Sequence, residues 1–162
     1  MNPLTERELR RSFRNCSRGE RETLTLPALH AVDWATTAFL GWRDPKAPQR
    51  GYLVREVGGG DPVGIVLRAP ETRVRRAAQC LLCHTVHQDG IALFVAKRGG
   101  AAGRNGSTIG TYICDDLQCS AHLRSSLRPS RRLPDPAPVL EARTREMLER
   151  LDGFLAGVLQ EA

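Results

Sequence analysis

The chain has 162 residues, enough for one domain or for one domain with a helical appendage. Only 5% of it is aromatic, so large apolar groups are in modest supply and a metal staple would strengthen its core. The formal charge of +6 is carried almost wholly by arginine, which suits phosphate- or carboxylate-bearing partners and equally fits a GC-rich genome; the absence of an apolar run long enough for a signal peptide or membrane span points to a cytoplasmic protein.

Thr5 with Glu8 three residues on forms a capping box that predicts a first helix through about Asn15, its apolar face made of Leu4, Leu9 and Phe13. A polar turn at Ser17-Arg18-Gly19-Glu20 follows. Pro27 then suits the first turn of a second helix, with Leu29, Val32, Ala35 and Phe39 at helical spacing and Gly41 near its end. Gly51 to Val57 and Val63 to Leu67 read as a hairpin around Gly58-Gly59-Gly60-Asp61-Pro62. A basic linker, Arg73-Val74-Arg75-Arg76, leads to Cys80.

Ile91 to Ala96 and Thr108 to Ile113 predict two further strands, joined by an Arg/Gly loop from Arg98 to Ser107. Asp115, supported by Gln118, is the expected N-cap of a helix to about Leu127. Four prolines between Arg128 and Pro138 break that helix. The remaining tail is amphipathic, with Leu148, Leu151, Leu155 and Val158 among its apolar residues, and must pack on the body or a partner. The expected fold is α+β. It comprises an N-terminal helical segment at 1–48 packed on the main domain, a β-hairpin plus treble-clef zinc domain at 49–127, a linker at 128–138 and a C-terminal helix at 139–162.

Four cysteines carry the strongest chemical signal: Cys80-Leu81-Leu82-Cys83 and Cys114-Asp-Asp-Leu-Gln-Cys119. Two close pairs supply the four soft ligands of one tetrahedral, structural Zn²⁺. Knuckle, hairpin and helix around such a site make a treble clef, and in the cytoplasm paired cysteines favour metal over disulfides. A Cys₃His set drawing on His84, His87 or His122 stays open, as do two disulfides. Cys80-Leu-Leu-Cys83-His84 also spells a covalent haem motif, but that reading leaves Cys114 and Cys119 without a role. Cys16 reads as a partly buried thiol.

No Walker loop, G-x-S-x-G elbow or H-E-x-x-H is present, and no catalytic residue is nominated. The Arg98 to Gly106 loop joins two strands instead of opening a helix, so it reads as a contact loop and not a phosphate cradle. From Lys97 to Arg132 the basic residues Lys97, Arg98, Arg104, Arg124, Arg128, Arg131 and Arg132 face only Asp115 and Asp116. That surplus suggests a positive binding face, with RNA or the ribosome as one class of partner.

Gly41-Trp42-Arg43-Asp44-Pro45, Cys80-Leu-Leu-Cys83-His84-Thr85, the Arg98 to Gly106 loop and Gly110-Thr-Tyr-Ile-Cys114-Asp-Asp-Leu-Gln-Cys119-Ser120 together resemble the treble-clef zinc domain of the elongation factor G-binding proteins, the FusB-type family. The likeness runs from about residue 5 to residue 127, leaving the proline-rich linker and last helix as departures. It implies a non-enzymatic bacterial translation factor that binds elongation factor G and aids its release from the ribosome. The implied contact surface lies at the knuckle and hairpin loop, here Leu81, Leu82, Lys97, Arg98, Arg104, Asn105 and Thr108. Arg124 and Arg128 extend it along the basic face.

Overall fold

The computed structural model describes residues 1–69 and 77–160. Two short helices come first, α1 (Glu6–Ser12) and α2 (Arg18–Thr23), followed by a single 3₁₀ turn at Leu29–Ala31. The sheet strands are β1 (Leu40–Arg43), β2 (Arg50–Glu56), β3 (Pro62–Arg68), β6 (Ile91–Lys97) and β7 (Thr108–Cys114). A two-stranded ribbon, β4 (Ala78–Gln79) with β5 (Val86–His87), carries the first cysteine pair between its strands. Helix α3 (Gly100–Arg104) lies between β6 and β7, and α4 (Cys119–Ser126) and α5 (Ala137–Leu159) complete the chain.

The five-stranded sheet runs β1-β2-β3-β6-β7, with every neighbouring pair antiparallel. Its two hairpins form because period-two apolar patterns feed both faces. Tyr52 and Val54 on β2 enter one core with Leu9, Phe13 and Trp42, whereas Leu53 enters the other with Ile65, Leu67, Phe94 and the zinc cysteines. The first core is knit by edge-on contacts of Phe13 with Trp42 and Tyr52 at 6.1 and 5.7 Å. The hairpins meet through a single register pair, Arg68 with Val95. Beside it Asn15 takes the place of a ladder rung: its amide donates to the carbonyls of Val66 and Lys97 and accepts from the Val66 N–H.

Asp44 shows how the N-terminal side is fixed. Burial alone pushes its carboxyl pKa up, but hydrogen bonds from the Tyr52 hydroxyl at 2.7 Å and the Lys46 and Ala47 amides outweigh this and hold it below the usual value. Burial also raises the Tyr52 hydroxyl, and its bond to Asp44 adds to that.

Helix α1 carries the expected Thr5–Glu8 capping box but ends at Ser12, where Phe13 turns extended and bridges Gly64. Ser17-Arg18-Gly19-Glu20 is no mere turn: Ser17 and Glu20 form a second capping box that starts α2. The helix expected from Pro27 to Phe39 is not there. The Asp33 carboxylate accepts from the Thr36 hydroxyl at 2.7 Å and its carbonyl from the Thr37 hydroxyl at 2.7 Å. Those local bonds outcompete a helical ladder, and Phe39 and Leu40 pass straight into sheet packing. The Arg98 to Ser107 connection is not wholly a loop, since it holds the five-residue α3. Asp115 does not cap α4; it pairs with Arg43 at 2.9 Å, and the helix begins four residues later at Cys119. Arg73-Val74-Arg75-Arg76 lies outside the described residues.

The amphipathic tail packs on the body. Met147, Leu151, Leu155 and Val158 of α5 are fully buried in the core that holds the four cysteines. Arg98 and the Gly99 amide donate to the carbonyls of Gly157 and Val158, and Arg55 pairs with Asp152 at 3.2 Å.

Candidate metal centre

The β4–β5 ribbon and the junction of β7 with α4 bring the two cysteine pairs together. Between β4 and β5 the chain turns tightly at the knuckle: Cys80 N–H donates to the Thr85 carbonyl and His84 N–H to that of Cys80, with His84 in the left-handed region at φ 57°. After β7, Leu117 takes φ 62° and donates its N–H to the Cys114 carbonyl, so Cys119 comes back beside Cys114 as the first residue of α4. The knuckle is tied to the sheet edge by Leu81 N–H to the Tyr112 carbonyl at 2.8 Å.

All four sulfurs lie within 4.8 Å of one another and all four cysteines are buried. Cys80 and Cys119 sulfurs are 3.7 Å apart, and those of Cys83 and Cys114 are 3.6 Å apart. Four sulfurs at 2.3 Å from one ion form a tetrahedron with edges of about 3.8 Å. A disulfide needs about 2.05 Å, and the cysteines are free. Metal ligation requires thiolates, and one zinc ion lets all four buried sulfurs be thiolates together. The arrangement fits one structural zinc held by Cys80, Cys83, Cys114 and Cys119.

Two histidines lie against this cluster: His87 and His122 form a second close group of metal-ligand type with Cys114. His122 Nδ1 is 3.2 Å and His87 Nε2 3.6 Å from the Cys114 sulfur, and the two ring centroids are 4.7 Å apart with the planes tilted by 55°. His84, in the haem-like string, is exposed. Cys16 is half-buried, and its burial raises the thiol to about 11, which leaves little reactive thiolate at neutral pH.

The expected contact residues separate on inspection. Leu81 is 50% exposed, but Leu82 is 2% exposed and belongs to the core, so Leu82 cannot serve as a contact. Arg124 donates to the Thr36 carbonyl and Arg98 to that of Gly157, so both help to hold the fold. Lys97, Arg104, Asn105, Thr108 and Arg128 are exposed. Two exposed apolar residues escaped notice, Val86 beside the knuckle and Tyr112 on β7, at 66% and 45% exposure. Strand alternation could have found Tyr112, because it shares the outer face of β7 with Thr108 and Gly110.

A family model described as FBP C-terminal treble-clef zinc-finger matches residues 8–158. The match thus continues past residue 127 through the linker and α5, which are part of the family pattern and not additions to it. Among solved structures, that of the fusidic acid resistance protein FusC is similar, with a TM-score of 0.57 and 20% identity over 76% of this chain and 52% of that one. At that identity the likeness is one of fold, and the chain spans about half the length of the FusC chain. No curated protein matches. Among the described residues no helix is long and apolar enough to cross a membrane.

Proposed function

Because the chain belongs to the FBP C-terminal treble-clef zinc-finger family, we propose that it is a zinc-stabilised, non-enzymatic binding protein whose partner is translation elongation factor G. The observation that carries this reading is the exposed strip beside the metal centre. Leu81 at the knuckle is bonded through its backbone to Tyr112, and Tyr112 shares the outer face of β7 with Thr108, whose register partner is Lys97. Tyr112 and Thr108 are about 13 Å apart at 3.3 Å per strand residue. Exposed aromatic and aliphatic side chains flanked by polar ones suit protein docking. Arg104 and Asn105 would extend the strip beyond the start of β7 at Thr108, and release of the factor from the ribosome would follow from its capture.

A second reading has its own support. Ser130 and Leu133 close a two-residue turn by reciprocal backbone bonds of 2.9 and 3.1 Å, and Arg131 and Arg132 stand exposed at its tip between Pro129 and Pro134. Two exposed guanidiniums on a closed turn suit RNA phosphates, and binding through them would fall steeply with salt.

One titration separates the two. Isothermal calorimetry of the full, zinc-loaded chain against the host's elongation factor G is expected to show binding with shallow salt dependence. Leu81→Asp with Tyr112→Ala should weaken it by about tenfold or more, while Arg131→Ala with Arg132→Ala should leave it unchanged. No binding at tens of micromolar would sink the first reading. Salt-steep binding to ribosomal RNA, lost in the arginine double variant, would favour the second.

A further inference from the structure

The four sulfurs are not covered alike. Cys80 accepts the backbone N–H groups of Leu82 and Cys83, both at 3.4 Å, as the knuckle geometry alone requires. Cys83 and Cys114 are met by side chains instead. The Thr85 hydroxyl lies 2.9 Å from Cys83 Sγ and 2.8 Å from His87 Nε2, and His87 Nε2 also lies 3.6 Å from Cys114 Sγ. On the other flank His122 Nδ1 faces Cys114 Sγ at 3.2 Å, while its Nε2 faces the Asp116 carboxylate at 3.1 Å.

A thiolate can only accept, which orders these contacts. Next to a metal-bound Cys83, Thr85 must donate its hydroxyl proton to sulfur, so its oxygen accepts from His87 Nε2–H. Next to a metal-bound Cys114 the His122 N–H belongs on Nδ1, and the Asp116 carboxylate lies beside the other ring nitrogen at 3.1 Å. The sulfurs are buried, whereas Thr85, His87 and His122 are half-exposed and Asp116 is exposed. These side chains therefore form the layer between the cluster and water.

We propose that Thr85–His87 and Asp116–His122 are positioning pairs that hold the thiolates Cys83 and Cys114 on the zinc and set the rate at which the metal leaves. The inference is independent of the protein's partner. Outer contacts of this kind typically change metal affinity by about 10- to 100-fold, and release should accelerate on a similar scale.

The test measures zinc transfer from the loaded full-length chain to a chromogenic chelator. His122→Ala and His87→Ala are expected to release zinc at least about tenfold faster. His122→Asn, whose amide nitrogen can stand in for Nδ1, and His87→Gln, whose amide can stand in for Nε2, should recover much of the loss. Release at the parental rate in both alanine variants would overturn the proposal. So would equal rates for His122→Asn and His122→Ala, since filling space alone would then explain any effect. Should the alanine variants fail to fold, Thr85→Val against Thr85→Ser makes the same comparison at Cys83: faster release from Val alone supports the proposal, and equal release refutes it.

Discussion

At the scale of single residues, the metal centre is locked to the N-terminal side by one glycine. Gly41 lies on β1, and its carbonyl accepts from Gln118 Nε2 at 2.7 Å. A Cβ built on Gly41 would sit 2.5 Å from the Leu117 carbonyl oxygen, inside the loop that joins Cys114 to Cys119. That oxygen belongs to backbone already in the left-handed region, so it has little room to retreat. Gly41→Ala is therefore expected to cost about 1–3 kcal/mol by overpacking and to loosen the second cysteine pair. Gly153, in the middle of α5 with nothing within 4 Å of its missing Cβ, is the contrasting position. There alanine should stabilise by up to about 1 kcal/mol through helix propensity. Urea unfolding of both zinc-loaded variants measures the difference; a Gly41→Ala chain as stable as its parent would show that the Leu117 loop shifts freely.

At the scale of elements, the last helix is a wall of the metal-side core. Met147, Leu151, Leu155 and Val158 recur at three- and four-residue steps and are buried among the zinc cysteines and the β6–β7 hairpin. Arg150 reaches from the same helix to the Leu82 carbonyl at 2.8 Å, so α5 also braces the knuckle. Leu151→Ala should cost about 2–5 kcal/mol, a large part of a typical domain's 5–15 kcal/mol. Glu149→Ala, on the exposed side, should cost little; a small effect at Leu151, read by the same unfolding, would mean that α5 only rests on the body. These elements were legible in the sequence to different degrees. Both long hairpins and α5 carry strong apolar periodicity, and the cysteine spacings announce the knuckle. The stretch from Pro27 to Phe39 has helical spacing too, but Asp33, Thr36 and Thr37 close local bonds that periodicity does not register. The start of α4 was displaced by a partner far away in sequence, Arg43, which takes Asp115 from its capping role. Among the contact residues, Leu82 was misplaced for a related reason: a knuckle alternates sharply between outward Leu81 and inward Leu82, and spacing alone does not say which is which.

At the scale of the whole molecule, the question is whether zinc holds one face of the sheet or the entire chain. The four cysteines sit in the core on one face, whereas both tryptophans, Trp34 and Trp42, belong to the core on the other. Several links cross between them. Tyr52 and Leu53 are consecutive on β2 and feed opposite cores; Gly41 hydrogen-bonds Gln118; Arg43 lies over the Phe94 ring at 5.0 Å while paired with Asp115. Structural zinc contributes binding free energy of about 10–16 kcal/mol in small fingers, comparable with a typical domain's whole stability of about 5–15 kcal/mol. The two left-handed residues flanking the site, His84 and Leu117, add local strain of about 1–3 kcal/mol each that the metal-bound fold must offset. Removing the metal should therefore unfold both faces. Elemental analysis of the loaded protein is expected to give one zinc per chain. Chelation, or Cys114→Ser, should then shift tryptophan emission to the red in the same transition that loses helical circular dichroism. The tryptophans report from the side of the sheet opposite the zinc cysteines, so their response measures coupling and not local melting. Tryptophan emission that stays native while helicity falls would show that the N-terminal core stands without zinc, and that the metal supports only the core it shares with α5.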